Sequence, residues 1–105
     1  MSYVVVIRVQ VEGDLSEYER LLDEFRQDSL LRVEEMEQFM VCTVTDEENA
    51  YLIVQTFASA EAHEKHMNSA VVQEFLEGLQ DYDLKMGVIM MMGQEIEYAA
   101  DPLLN

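Results

Sequence analysis

From Tyr3 to Glu12 the chain alternates: Tyr3, Val5, Ile7, Val9 and Val11 point one way, and Val4, Val6, Arg8, Gln10 and Glu12 the other. A period of two is that of an extended strand. One face is wholly apolar; the other starts apolar and turns polar at Arg8. Gly13 breaks the run, and in DLSEYERLLDEFRQDSLL the period changes. Tyr18, Leu21, Leu22, Phe25 and Ser29 recur at helical spacing, with Asp23, Glu24 and Arg26 elsewhere on the cylinder. Ser16 and Glu19 stand at capping-box spacing, which predicts the helix start there.

QFMVCTVT and AYLIVQTF are rich in strand-forming residues, and the acidic DEEN between them predicts a hairpin turn. Helical spacing returns in FASAEAHEKHMNSAVVQEFLEGL, residues 57 to 79. There Ser59 can cap a short helix, and Ser69 can cap or kink its continuation through Val71, Val72, Phe75, Leu76 and Leu79. A last strand is expected from Leu84 to Tyr98. The order strand, helix, strand, strand, helix, strand is that of an α+β, ferredoxin-like βαββαβ fold, one antiparallel sheet with its helices on one face. One domain is expected over residues 1–98, with AADPLLN, 99–105, as an irregular or docking tail.

A sheet covered on one side should leave its other face wet. The last strand departs from this. Met86, Val88, Met90 and Met92 fall on one side while Ile89 and Met91 fall on the other, and Met40, Cys42 and Val44 against Phe39 and Val41 repeat the pattern. So much apolar surface calls for a cover. A second copy packed sheet against sheet supplies one, a homodimeric α+β barrel; the tail residues Leu103 and Leu104 are the other source of cover.

Charge narrows the partners. Twenty-two acidic residues against six basic ones leave a formal charge of −16. Such a field repels phosphate backbones and anionic lipid, so neither nucleic acid nor a membrane is expected as a partner. The few lysines would also suit a salt-rich cytoplasm. Cys42 is the single cysteine, so no disulfide forms within the chain, and its apolar run predicts a buried, inert thiol. MSYVVVIRVQ has no basic leader and too short an apolar run for a signal or membrane segment, so a cytoplasmic protein is expected.

His63 and His66 are the only histidines. Three residues apart on a helix, they diverge by about 60°. His-x-x-His lacks the four-residue spacing that brings two ligands to one helix face, and no cysteine cluster supports a metal, so none is expected. A histidine titrates near neutrality and can accept a phenolic proton; the same residue can equally sit at the helix surface near Glu61 or Glu64, or pack in the core. Asn68 could orient a substrate oxygen or satisfy the helix end. Arg8 could steady a phenolate or pair with a strand carboxylate such as Glu97. Tyr51 and Tyr82 suit either a pocket wall or the core. The methionine run reads as adaptable packing.

Phe57, Ser59, Ala62, His66, Met67, Ser69, Val72 and Phe75 together resemble a pattern of the antibiotic biosynthesis monooxygenase family, within the dimeric α+β barrel superfamily. In it an aromatic residue closes the third strand, followed by Ser-x-x-Ala, a His-Leu-x-Ser-like helix and Phe-x-x-Phe. This chain departs in having Phe57 where many members carry Trp, and Ala70-Val71 where Pro-His often follows the serine. Ile7 stands at the place of the first-strand Asn of haem-degrading relatives, so haem is not expected. The resemblance implies a homodimer with a cavity between sheet and helices in each chain. It also implies oxidation of a small aromatic phenol or quinol by molecular oxygen without a cofactor. His66 would accept the proton, with Asn68 or Arg8 orienting, and His63, Phe57, Tyr51, Tyr82 and Met67 would line the ligand site. The alternative is a non-catalytic protein of the same fold that binds a small ligand or a partner.

Overall fold

The computed structural model describes residues 1–98 and has the expected order. It runs β1 (Tyr3–Glu12), α1 (Leu15–Arg32), β2 (Met36–Val44), β3 (Glu47–Phe57), α2 (Ala60–Met67), α3 (Ala70–Asp81) and β4 (Lys85–Gln94). The strands form one antiparallel sheet in the order β2-β3-β1-β4. The split connection puts β1 beside both β3 and β4, so the helices cross one face. The expected tail, 99–105, lies outside the described residues.

Several boundaries differ from expectation for local reasons. The cap of α1 is Asp14, whose Oδ1 accepts from the Glu17 N–H at 3.2 Å. Ser16 is already inside the helix, and Glu19 instead accepts from the Tyr51 hydroxyl at 2.9 Å, so the capping box is not formed. An Asp is as good a cap as a Ser, and its negative charge suits the helix start. The hairpin turns at Thr45 and Asp46, with Asp46 at φ 66, and Glu47 to Asn49 of the expected turn extend β3. Asx residues tolerate that left-handed conformation better than other side chains with a Cβ. The last strand ends at Gln94, four residues short of the expected Tyr98.

The inner face of the sheet carries the core. Val5, Val9, Val11, Phe39, Tyr51, Ile53 and Phe57 meet Tyr18, Leu21 and Leu22 of α1 and Phe75 and Leu79 of α3. Phe25 stacks on Phe75 with centroids 4.5 Å apart and meets Phe39 edge-on at 5.3 Å, so α1, α3 and β2 share one aromatic junction. The helices lie over β2, β3 and β1, and β4 approaches β1 more closely than any other element. Its inward residues are consequently not sealed: Val88 is 45% and Met92 53% exposed.

Strand register also resolves the outward face. Met40, Val54, Val6 and Met91 form one apolar row across all four strands, and Cys42, Leu52, Arg8 and Ile89 form the next. Met40, Ile89 and Met91 are exposed. Cys42, expected to be buried, is half-buried because it points to this face. Arg8 pairs there with Glu47, Nη2 lying 2.7 Å from both carboxylate oxygens. That partner is not the expected Glu97, because the long side chain lies toward the start of β3.

Candidate functional site

Ser59 caps α2 by accepting from the Ala62 N–H at 3.1 Å, and the helix ends after two turns at Asn68. The Ser69 hydroxyl makes no cap bond for α3; it donates back to the His66 carbonyl at 2.7 Å, which sets the kink between the two helices. This short, tied helix turns His63 and His66 inward. His66 is 1% exposed. Its ring stacks on Phe25 at 5.6 Å and meets Phe57 at 5.5 Å, while Nε2 lies 3.0 Å from the Ser29 hydroxyl of α1.

Nδ1 of His66 is buried without a protein partner. Burial pushes the imidazole down to about 4, with His63 adding to the effect, so it is neutral near pH 7. A neutral imidazole carries one N–H and one lone pair. If Nε2–H donates to Ser29, Nδ1 keeps its lone pair and accepts; if Ser29 donates to Nε2, Nδ1–H donates. Either tautomer leaves Nδ1 without a protein partner.

Between sheet and helices, on the side that β4 leaves open, lies an apolar cavity of about 170 Å³. Its walls include Ile7, Phe25, Phe75, Met86 and Met90, and its only polar side chains are His66 and Gln55. The same imidazole borders a second recess of about 290 Å³ that holds Arg32, Glu34, Glu35 and Lys65. Deeper in the core, burial raises the Tyr18 hydroxyl far above its usual range, and it donates to the Met86 sulfur at 3.2 Å. It stays a neutral donor. Among the described residues no group of three or more His, Cys, Asp or Glu side chains could hold a metal.

The residues singled out by sequence separate into two sets. His66 and Met67 line the cavity. Phe57 is fully buried and touches both histidine rings, and His63 packs between Phe57 and Tyr3 with its own pKa lowered by burial. The other four stand elsewhere. Asn68 is exposed, and its side-chain amide donates to the Glu64 carbonyl at 3.0 Å, which makes it a helix-end residue. Arg8 lies on the outward sheet face, opposite to the cavity. Tyr51 donates to Glu19, its hydroxyl pushed up to about 12 by burial first and then by that carboxylate, and Tyr82 is 51% exposed beneath the Arg20 guanidinium.

Gln55, Ser29 and Phe25 were not anticipated as site residues. Two left a trace in the sequence: Gln55 is a polar residue on the apolar face of its strand, and Ser29 is the polar member of a buried helical stripe. No helix among the described residues is long and apolar enough to cross a membrane.

Three comparisons place this geometry among known proteins. A candidate antibiotic biosynthesis monooxygenase from Caulobacter crescentus superposes with a TM-score of 0.82 at 13% identity, over 91% of each chain. SnoaB, a cofactor-independent oxygenase from Streptomyces nogalater, gives 0.72 at 13% identity over 90% of this chain and 95% of its own. A conserved protein from Methanosarcina mazei Go1 gives 0.71 at 15% identity, over 87% and 91%. At such identities the likeness speaks for the fold. No curated protein matches the chain. The model of one family, described as antibiotic biosynthesis monooxygenase, matches residues 2–78, and the chain belongs to that family.

Proposed function

We propose that this protein is a cofactor-independent monooxygenase that oxidises a small aromatic phenol or quinol with molecular oxygen, acting as a homodimer. The observation that carries the reading is a neutral, buried imidazole with one unpartnered nitrogen, bordering an otherwise apolar cavity. Family membership and the fold shared with SnoaB support it. Size suggests the substrate: an apolar cavity of about 150 Å³ holds benzene, and methionine walls adapt, so about 170 Å³ suits one or two fused rings.

His66 accepts the phenolic proton and Ser29 holds the ring in place. The phenolate then gives one electron to dioxygen, and the aryloxyl radical and superoxide recombine at the ring carbon para to the oxygen. Loss of water from the resulting peroxide leaves a quinone, so one phenol and one O2 give one quinone and one water. The apolar walls keep water from the radical pair. Glu34 and Glu35, in the recess that His66 also borders, offer the proton a route to solvent.

Magnitudes restrict the substrate further. A phenol near pKa 10 stands about six units above an imidazole at about 4, a gap of about 8 kcal/mol. An ion pair at about 4 Å returns about 4 kcal/mol at an effective dielectric of 20. Transfer therefore remains uphill, and turnover should rise steeply with the acidity of the phenol. Oxygen uptake with a graded series of naphthols and hydroquinones, wild type against His66→Ala, tests this. Turnover unchanged by His66→Ala refutes the assignment of the base. The weak basicity of His66 also favours the second reading, a non-catalytic binding protein of the same fold; naphthol binding without oxygen uptake would select it.

A further inference from the structure

We infer that the Gln55 side-chain amide is the oxygen-binding donor of the cavity: its N–H hydrogen-bonds the phenolate oxygen that forms when His66 takes the proton. The ligand class rests on the aromatic-substrate reading above; the place of the amide in the cavity does not.

Three observations carry it. First, Gln55 stands where an apolar residue belongs. On β3 it points inward with Ile53 and Phe57, and its strand partners are Val5 of β1 and Phe39 of β2, all four of them buried. An amide buried without a hydrogen bond destabilises the fold. Gln55 is 2% exposed, and among the described residues the side-chain bonds made within this layer do not reach it. Those are Tyr18 to Met86, Ser29 with His66, and Tyr51 to Glu19. Second, the amide lines the cavity, where the one other polar side chain is His66. A sphere of about 170 Å³ is only about 7 Å across, so an oxygen beside the imidazole is within reach of the amide. Third, the orienting role that the sequence suggested for Asn68 or Arg8 is vacant. Asn68 is tied to the Glu64 carbonyl, Arg8 is paired with Glu47 on the outward face, and no cation lines the cavity.

Proton transfer turns a neutral pair, phenol and imidazole, into phenolate and imidazolium. The new negative charge then sits on an oxygen among apolar walls, cut off from water. A hydrogen bond to an ionised acceptor is roughly twice as strong as one between neutral groups. The Gln55 amide can turn its N–H toward that oxygen, so it stabilises the phenolate more than the phenol and narrows the acidity gap to His66.

The test is ligand binding under argon to Gln55→Leu. Gln55→Met, unbranched and of similar length, keeps the core filled should leucine crowd Phe39. Naphthalene should bind wild type and both variants within about twofold, because the apolar walls are unchanged. 4-Nitrophenol, whose anion absorbs visible light, should ionise in the wild-type site at least about one pH unit lower than in either variant, a tenfold loss of anion against neutral phenol. A merely structural role would move the naphthalene affinity and leave that interval at zero. Oxygen uptake with 1-naphthol should lose about tenfold or more in kcat in both variants. No binding of 4-nitrophenol by wild type, equal ionisation in wild type and variants, or a naphthalene affinity that falls with that of the phenolate would overturn the assignment. The one-unit interval with no oxygen uptake by wild type upholds the donor and overturns the oxygenase reading instead.

Discussion

Ser29→Ala is the most direct test of how His66 is held. The hydroxyl is buried, 3.0 Å from Nε2, and Nδ1 has no protein partner, so the substitution leaves both ring nitrogens unpaired in the core. A buried polar group left unsatisfied costs about 1–3 kcal/mol. With an unfolding entropy of about 2.1 cal/mol/K per residue, a chain of 105 residues shifts its melting point by about 4–5 °C per kcal/mol. Thermal unfolding followed by far-UV circular dichroism should fall by about 5–14 °C. His66→Phe also destabilises, because it strands the serine hydroxyl. The double variant Ser29→Ala/His66→Phe removes both partners, and its loss should be smaller than the sum of the single losses by about 1 kcal/mol or more. Losses that add within about 0.5 kcal/mol would show that the bond contributes nothing.

Two further outcomes follow from the same site. The unfolded chain protonates His66 near pH 6.5 while the folded chain resists until about 4, so stability falls as the pH drops through that window. The window is worth about 3 kcal/mol, and denaturant unfolding of wild type minus His66→Phe across it isolates the term; a difference that does not change with pH contradicts the buried neutral imidazole. Asn68→Ala should leave oxygen uptake within about twofold of wild type and stability within about 1 kcal/mol, because its amide serves only its own helix end; a tenfold fall in kcat/KM would place it at the substrate.

Much of the architecture was legible along the chain. Alternation in Tyr3–Glu12 gave both faces of β1, and the Tyr18–Ser29 stripe gave the buried side of α1, because local period dictates which side chains share a surface. Ser59 marked the start of α2, and Ser69 the break between α2 and α3. Turn and strand ends were less legible: Glu47 to Asn49 are turn-forming by type, yet β3 begins at Glu47, which pairs with Val44 of β2.

The site divides in the same way. The sequence by itself determined that His66 would sit in a helix beside an aromatic-closed strand, and that the sheet would carry apolar residues on two faces. Only the tertiary structure decided that Ser29, thirty-seven positions away, meets its ring, that Gln55 is its polar neighbour in the cavity, and that Arg8, Asn68, Tyr51 and Tyr82 stand apart. Periodicity is a property of neighbouring residues and survives in one dimension. Which distant side chains touch depends on how helices cross a twisted sheet, and that angle is set by the packing of the whole core.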